Sequence, residues 1–439
     1  MASVTNSPPA EGMSRSGRMI VLSVAFLGWM FAGLEMSIIP LVTRPAILSF
    51  QAAANEVQAS VASDTKRPSS AQEKSAGGWL SWYISAFLLG AAAGGLLFGW
   101  LGDKIGRAKA MALSILCYSI ITGLTAFVTT PMQLLVLRFL ACLGVGGMWP
   151  TGVSLVAEAW SDVSRPTLAG LIGTAANVGF IILGFLGLAF DITPQSWRWV
   201  FLVGGLPAIL GVFALFAVPE SPSWLQGRTA GKTSTGPSPV REILRPPLLS
   251  VTIIGILLGT IPVVGNWGGA NWTVMWADKV AGASDPALKA WTQITRSSGA
   301  AIGSLIGGWL ASLLGRRFTY FALSLAALLV SGYIFRFLSP GDPTFGTWVF
   351  ILGFVGVTYF GWLPLYLPEL FPTNVRATGT GVTFNFGRIL AVPGVLGAGS
   401  LLHLFDGDYS KVGTYTSLIY LAGMIVICFA PDTSQRKIV

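Results

Sequence analysis

The chain has 439 residues, of which 53% are hydrophobic and only 10% are charged. Soluble globular proteins carry about 25% charged residues, so a soluble enzyme, a disulfide-stapled secreted domain and a nucleic-acid-binding protein are excluded. The formal net charge of +9 is therefore interpreted as a signal of membrane orientation, not as a nucleic-acid-binding surface. The composition is that of an all-α integral membrane protein.

Twelve apolar windows follow one another along the chain, and each is about long enough to cross a hydrocarbon core of about 30 Å as a helix. Residues 1–18 are polar, and the first window is too long for the apolar segment of a cleaved signal peptide. The windows predict spans 1 to 12 at residues 19–42, 78–101, 109–129, 132–157, 167–190, 198–218, 247–276, 289–313, 318–338, 345–366, 377–401 and 413–431.

Two longer segments interrupt this pattern. Residues 49–76 are rich in Ala, Ser and Gln and are predicted to form a loop after span 1. Residues 219–246 are rich in Gly, Ser, Thr and Pro, the composition of a flexible linker. The chain therefore divides into six-span bundles at 19–218 and 247–431, followed by a tail at 432–439.

The positive charges indicate one orientation. The loops that join even-numbered to odd-numbered spans, together with both termini, carry most of the Lys and Arg residues outside the spans. By the positive-inside rule both termini and the linker are cytoplasmic, and the 49–76 loop is external. We expect a monomeric, multi-pass protein of the plasma (inner) membrane, whose surroundings are the lipid bilayer and which binds no nucleic acid.

The cysteines and the single histidine offer no catalytic or metal-binding set. Cys117, Cys142 and Cys428 lie in apolar windows, where free thiols act as small hydrophobic groups. His403 is alone, so a histidine proton relay is not available. We expect no disulfide, no metal site and no cofactor, with a proton gradient as the energy source.

An internal repeat relates the two bundles, as in many secondary transporters. Three pairs of segments recur in the same order, at nearly the same offset and at corresponding ends of spans. They are Gly99-Trp-Leu-Gly-Asp103-Lys-Ile-Gly106-Arg107 with Gly308-Trp-Leu-Ala-Ser312-Leu-Leu-Gly315-Arg316, Glu158/Arg165 with Glu369/Arg376, and Asn177-Val-Gly179-Phe180 with Asn385-Phe-Gly387-Arg388.

These residues carry a family resemblance that covers essentially the whole chain. Residues 99–109 resemble the G-x-L-x-D-x-x-G-R-x-K signature of the major facilitator superfamily, and residues 219–224 and 368–376 resemble the elements after its spans 6 and 10. The last two are similar to the sugar porter and the carboxylate and aromatic acid symporter branches. The resemblance implies two pseudo-symmetric six-helix bundles that alternate access to a central site. Ser312 replaces the second acid of the span 8 repeat, and the glutamine-rich sugar signatures are missing, which argues against a hexose.

The charged loop motifs are candidate gating elements. Asp103 can accept hydrogen bonds from basic groups or from a helix N-terminus, and with Arg107 it would form a cytoplasmic latch between the halves. Inter-helix pairs are expected within Glu158/Arg165 and Glu369/Arg376; the alternative is that these are solvated charges that set topology. The predicted gating residues are Asp103, Arg107, Gly99, Gly106, Glu158, Arg165, Glu369, Arg376, Gly315 and Arg316.

Glu35 and Arg138 are ionisable residues inside spans, where charge is costly and a functional role is the default hypothesis. Glu35 lies roughly 24 Å from the inner end of span 1 and Arg138 roughly 9 Å from the outer end of span 4, at similar depth. They can pair and switch with a proton, or form a static ion pair. Glu35 matches the second acid of the G-W-x-x-D-x-x-D pattern of carboxylate symporters, whereas Ala32 occupies the first.

Arg388 in span 11 and Arg296 in span 8 have no acidic partner within their own spans. Because arginine binds carboxylates through a bidentate fork, a small organic anion is the simplest completion. Asn385 and Asn177, near mid-span, can add hydrogen bonds. The alternative is that backbone carbonyls or Asn385 satisfy Arg388.

Span 7 carries a glycine-softened polar stretch, with Asn266, Trp267 and Asn271 as further candidate substrate contacts. The predicted function is proton-coupled symport of a small organic anion, such as a monocarboxylate, an aromatic acid or a sugar acid. The alternatives are uptake of a neutral sugar or polyol, a ligand sensor on a transporter fold, and an intramembrane enzyme, for which no catalytic constellation is present.

Overall fold

The computed structural model describes residues 13–58, 69–160, 165–221, 224–225, 239–281, 284–372 and 375–433. Within these ranges the chain is helical and contains no strand. Twelve of its helical segments are long and apolar enough to cross a membrane, as the sequence predicts.

The spans of the first half are the helices Arg15–Gln58, Ser70–Ile105, Arg107–Leu124 with the 3-10 turn Thr125–Phe127, Pro131–Ala159, Arg165–Ala189, and Arg198–Gly205 continued by Ala208–Ala217. A short helix, Pro239–Ile243, precedes the second half. Spans 7 to 12 are Leu248–Gly265 continued by Asn266–Ala270 and Trp272–Ala281, then Ala287–Leu314, Arg316–Phe337, Phe345–Glu369, Arg376–Leu404, and Tyr409–Thr416 continued by Ile419–Phe429.

Local sequence signals set several of these helix ends. Ser69 and Thr130 cap spans 2 and 4 with their hydroxyl groups, and Gln72 and Gln133 complete both capping boxes. Gly106 and Gly315, which the internal repeat pairs, form the turns into spans 3 and 9 with φ of 108° and 86°. These positions favour glycine because positive φ is costly for other residues.

The structure differs from the predicted loop at 49–76. Span 1 continues as a helix to Gln58 and span 2 begins at Ser70, so helix replaces loop on both sides. The Ala, Gln and Glu residues there favour helix, and an apolar window cannot show how far a helix extends beyond it. Residues 59–68, most of the predicted linker, residues 1–12 of the predicted tail at 1–18 and residues 434–439 of the predicted tail at 432–439 lie outside the described residues.

The two halves repeat one packing pattern. Span 1 packs on span 5 and span 2 on span 4, as span 7 packs on span 11 and span 8 on span 10. Gly90 and Gly94 of span 2 meet backbone carbonyls of span 4, and the equivalent Gly299 and Gly303 of span 8 meet those of span 10. Glycine therefore brings equivalent helices into backbone contact in both halves.

The halves meet where span 2 packs against span 11 and span 5 against span 8. Because the number of spans is even, the short helix Pro239–Ile243 and the first and last described residues, Met13 and Thr433, lie at one end of the molecule, called here the linker end. At the opposite end Ser81 lies against Gly399. Towards the linker end, a Cβ at Gly99 of span 2 or Gly381 of span 11 would meet no other described side chain or helix within 4 Å.

We expect Gly179→Ala to destabilise the protein, because a Cβ there would overlap the backbone of Met30 and Leu34 in span 1. Overpacking of this kind costs about 1–3 kcal/mol. The matched control is Gly356→Ala, a buried mid-span glycine whose added methyl group meets no other described neighbour within 4 Å. Thermal unfolding in detergent measures both variants. Equal melting temperatures of the two variants would show that close packing of spans 1 and 5 does not limit the stability of the protein.

Candidate functional site

Glu35 and Arg138 form an ion pair between spans 1 and 4, as their similar depths predict. The side chains are 2% and 3% exposed, and Arg138 also donates to the Glu35 backbone oxygen at 3.4 Å. Thr122 Oγ1 of span 3 donates to the same carboxylate oxygen, Oε1, at 3.4 Å. The guanidinium carbon lies 5.6 Å from the ring centre of Phe87 in span 2. Four spans of the first half thus surround this pair.

The pair is incompletely hydrogen-bonded. Among the described residues, Glu35 Oε2 and Arg138 Nε are buried and have no partner. Buried polar atoms normally find one, so Glu35 Oε2 can accept a proton or a hydrogen bond, and Arg138 Nε can donate to a water molecule or a ligand. A carboxylate that holds its guanidinium partner stays ionised, and one that loses it in apolar surroundings is favoured to take up a proton.

Arg388 reaches from span 11 across the interface between the halves. Its Nη1 donates to the Ala91 backbone oxygen of span 2 at 3.4 Å and to Asn385 Oδ1 at 3.3 Å. Its guanidinium carbon lies 4.5 Å from the ring centre of Phe384. The backbone and amide contacts named above as an alternative are both present, but they are longer than the 2.7–2.9 Å typical of charge-assisted hydrogen bonds.

Arg296 occupies the second interface between the halves. Its guanidinium carbon lies 5.8 Å from the ring centre of Phe180 in span 5, and its Nη1 donates to Asn266 Oδ1 of span 7 at 3.4 Å. Its Nε is buried without a partner among the described residues. Within the part of the chain that the structure describes, neither Arg296 nor Arg388 forms an ion pair with a carboxylate.

The four asparagines predicted as candidate substrate contacts differ in their surroundings. Asn385 donates to the Gly381 backbone oxygen at 3.0 Å, and Asn177 is half-buried. Asn271 is buried, and its amide oxygen and nitrogen have no hydrogen-bond partner in the described ranges. Asn266 accepts from Arg296 at 3.4 Å. Two of the four amides therefore contact the arginines, and Asn271 retains its full hydrogen-bonding capacity.

The glycine-softened stretch of span 7 is a π-helical turn over Asn266–Ala270. Such turns interrupt α-helices and are frequent at functional sites. The Trp267 ring lies 4.4 Å, centre to centre, from Phe87 of span 2, which joins the two halves beside Arg138. Trp272 is buried against Tyr409 and does not face lipid as an interfacial anchor.

Gln293 is a site residue that the sequence analysis missed. It is fully buried one helical turn before Arg296, and its Nε2 donates to the Phe180 backbone oxygen at 3.3 Å. Its Oε1 has no partner among the described residues. The sequence feature that could have identified it is an amide side chain three residues before an intramembrane arginine in span 8.

At the linker end the structure shows two ion pairs that the sequence did not predict. Glu158 pairs with Arg107, and Glu369 pairs with Arg316 at 2.8 Å. Arg376 Nε donates to the Phe371 backbone oxygen at 3.5 Å, and the Arg165 side chain lies outside the described residues. Each pair joins two helices of one half, because each arginine begins the helix that packs beside the glutamate. Each of these ion pairs therefore stabilises the packing of its own half and does not join the two halves.

Asp103 is exposed in this structure and makes no ion pair with another described residue. The acid at the start of span 3 is Glu220, whose Oε1 accepts from the backbone nitrogens of Arg107 and Ala108 at 2.8 and 3.0 Å. Carboxylates are stabilised at helix N-termini by unpaired N–H groups. The sequence analysis missed this capping residue, which belongs to the element after span 6.

Comparisons with known proteins agree with this architecture. A family model described as Major Facilitator Superfamily matches residues 18–395. The cis,cis-muconate transport protein of Acinetobacter baylyi is 29% identical over 312 residues, 69% of this chain and 73% of that protein. The niacin transporter NiaP of the same species is 24% identical over 450 residues, 95% of each.

The fold also matches a solved structure. A crystal structure of a D-xylose-proton symporter has a TM-score of 0.70 at 18% identity, covering 96% of this chain and 99% of that one. With twelve spans in two equivalent halves, and a family match over most of its length, the chain is a multi-pass membrane transporter, not an enzyme, and belongs to the Major Facilitator Superfamily.

Proposed function

We propose that this transporter carries a small organic anion in symport with protons. The observation that carries the proposal is two guanidinium groups, the buried Arg296 and the partly buried Arg388, at the two interfaces between the halves without a carboxylate partner among the described residues. A buried charge without a partner is costly, and each of these groups makes only long contacts to neutral acceptors. A carboxylate substrate would supply the missing charge.

The chemistry of arginine narrows the substrate class. A planar guanidinium donates two parallel hydrogen bonds to a carboxylate, a geometry that a neutral sugar hydroxyl does not reproduce. Phe180 and Phe384 lie beside the two guanidinium groups and give the site apolar walls. The relatives named for cis,cis-muconate and niacin, both carboxylates, support an organic acid.

Glu35 is the proposed proton-coupling residue, with Arg138 as its switchable partner. The pair lies in the first half, and Phe87 lies against both Arg138 and Trp267 of the second half. A shift between the halves would therefore disturb the packing around Arg138. Separation of the pair favours protonation of Glu35, and its re-formation favours proton release.

Alternating access is the proposed mechanism, with the linker end cytoplasmic and the protein in the plasma (inner) membrane. Spans 2 and 11 are in contact at the opposite end, at Ser81 and Gly399, whereas Gly99 and Gly381 towards the linker end have open space around them, and this supports a state that is open at the linker end. The excess of positive charge in the linker-end loops supports this sidedness.

Arg388→Lys keeps the charge and loses the fork, so we expect carboxylate binding to weaken by about 1–3 kcal/mol, and Arg388→Gln to weaken it more. Arg296→Gln tests the second guanidinium. A thermal-shift screen across carboxylates, sugars and sugar phosphates first identifies a ligand, and calorimetry then measures its Kd. The control is Arg336→Gln, an exposed arginine of span 9. A transported ligand that is uncharged at pH 7 and indifferent to both substitutions would favour the neutral sugar alternative.

Glu35→Gln should abolish substrate accumulation driven by a pH gradient and leave exchange between equal substrate pools largely intact. The reason is that glutamine cannot bind and release the coupling proton. Both activities are measured in proteoliposomes, with Asp408→Asn as the control for loss of a partly exposed acid. Loss of binding and exchange together would assign Glu35 to the substrate site, and unaltered proton-dependent uptake would remove its coupling role.

Asp103→Asn should slow turnover with little change in substrate affinity. The carboxylate is exposed while the linker end is open, so it can act only in the state in which that end closes. Cysteine labelling from the linker side should rise in the variant. Ser312→Ala, at the equivalent position of the second half, is the control because it removes no acid. A tenfold loss of affinity with unchanged labelling would contradict the latch assignment.

A further inference from the structure

Four charged side chains form a buried cluster at the end of the molecule opposite the linker. Arg44 of span 1 pairs with Glu73 of span 2 at 2.7 Å and with Asp278 of span 7 at 3.3 Å. Asp278 also pairs with Lys289 of span 8 at 2.9 Å. All four residues are buried, with between 3% and 8% of their surface exposed. We call Arg44, Glu73, Asp278 and Lys289 the four-charge cluster.

The cluster consists of one neutral pair in each half. Arg44 and Glu73 belong to the first half, and Asp278 and Lys289 to the second. Arg44 donates to both carboxylate oxygens of Glu73, from Nε to Oε2 at 3.2 Å and from Nη2 to Oε1 at 2.7 Å, which is the bidentate geometry of a strong pair. Each half would therefore keep a paired charge if the halves moved apart.

Only part of the cluster joins the halves. The links are the single Arg44–Asp278 ion pair and a hydrogen bond from Lys289 Nζ to the Ile192 backbone oxygen at 2.7 Å, between spans 5 and 6. Outside the cluster, a second ion pair, Lys74 with Asp406 at 2.8 Å, crosses the same interface at the rim. Because Asp406 is largely exposed, that rim pair is expected to contribute little.

We propose that the four-charge cluster locks the two halves together at the end opposite the linker and must separate for that end to open. Its division into two neutral pairs makes the lock reversible. Separation breaks one ion pair and one hydrogen bond, and no buried charge is left alone, which is the costly outcome. The proposal concerns the opening of one end and does not depend on the identity of the substrate or on proton coupling.

The alternative role is static: the cluster could only hold spans 1 with 2 and 7 with 8. A static role predicts that breaking the Arg44–Asp278 contact lowers the melting temperature without changing access to the interface. A lock predicts faster access from this end. The two roles are therefore separated by the reactivity of a buried reporter, measured without any substrate.

Ser81 provides the reporter position, because it is 2% exposed and lies against Gly399 where spans 2 and 11 meet at this end. Ser81→Cys is introduced into a chain in which Cys117, Cys142 and Cys428 are replaced by alanine. A membrane-impermeant thiol reagent is added from the side opposite the linker, and the labelling rate is followed in proteoliposomes.

Asp278→Asn should raise the labelling rate about tenfold, the shift expected when a state loses one charge-assisted contact. Lys411→Gln, which removes an exposed pair with Asp408 inside one half, is the matched control and should leave the rate unchanged. Equal rates in Asp278→Asn and the parent protein would overturn the proposal.

A charge exchange keeps the test decisive if Asp278→Asn folds poorly. The double variant Arg44→Glu/Glu73→Arg retains the pair of the first half but places a carboxylate opposite Asp278, so labelling should accelerate. Adding Asp278→Lys/Lys289→Asp restores attraction between the halves and should return the rate to that of the parent. A general loss of stability would not be reversed in this way, so a fourfold variant that labels as fast as the double variant would overturn the proposal.

Discussion

The cost of placing charge in an apolar medium organises this protein. Every buried ionisable group must find a counter-charge, satisfy its hydrogen bonds or await a ligand. Glu35 and Arg138 neutralise each other within the first half, and the four-charge cluster contains one neutral ion pair in each half. Arg296 and Arg388 meet this constraint least well, since their described contacts are long hydrogen bonds to neutral acceptors. The residues that meet the constraint incompletely are therefore the candidates for binding a proton or an anion.

The sequence contains enough information for the fold and for part of the site. The number of spans follows from apolar windows, and the pairing of Glu35 with Arg138 follows from depth, because rise per residue is fixed in a helix. The bend in span 7 follows from its glycines, which the structure places in a π-helical turn. These are properties of one helix, or of two helices compared along one axis, and they need no knowledge of lateral packing.

Lateral contacts could not be predicted in the same way. The sequence predicts inter-helix pairs of Glu158 and Glu369 with the arginines seven residues later, and it does not reveal their ion pairs with Arg107 and Arg316, which begin neighbouring helices. The four-charge cluster was missed because charges at predicted span ends are ordinarily solvated, and Arg44 lies just beyond the first window. Only the continuation of span 1 to Gln58 and the packing of spans 1, 2, 7 and 8 bury these groups. No one-dimensional pattern reports that burial.

The internal repeat shows at which equivalent positions the two halves differ at the centre of the protein. Gly90 and Gly299 are structurally equivalent, so Arg296, three residues before Gly299, occupies the position of Phe87. Arg388 likewise occupies the position of Phe180, since Gly179 and Gly387 correspond. In both cases an aromatic residue of the first half is replaced by a guanidinium in the second, and Arg296 lies against Phe180 itself. The second half therefore supplies cations and the first half supplies aromatic surfaces and the Glu35–Arg138 pair. In the proposed mechanism the anion and the proton bind to different halves, so relative movement of the halves would couple the two sites without direct contact between them.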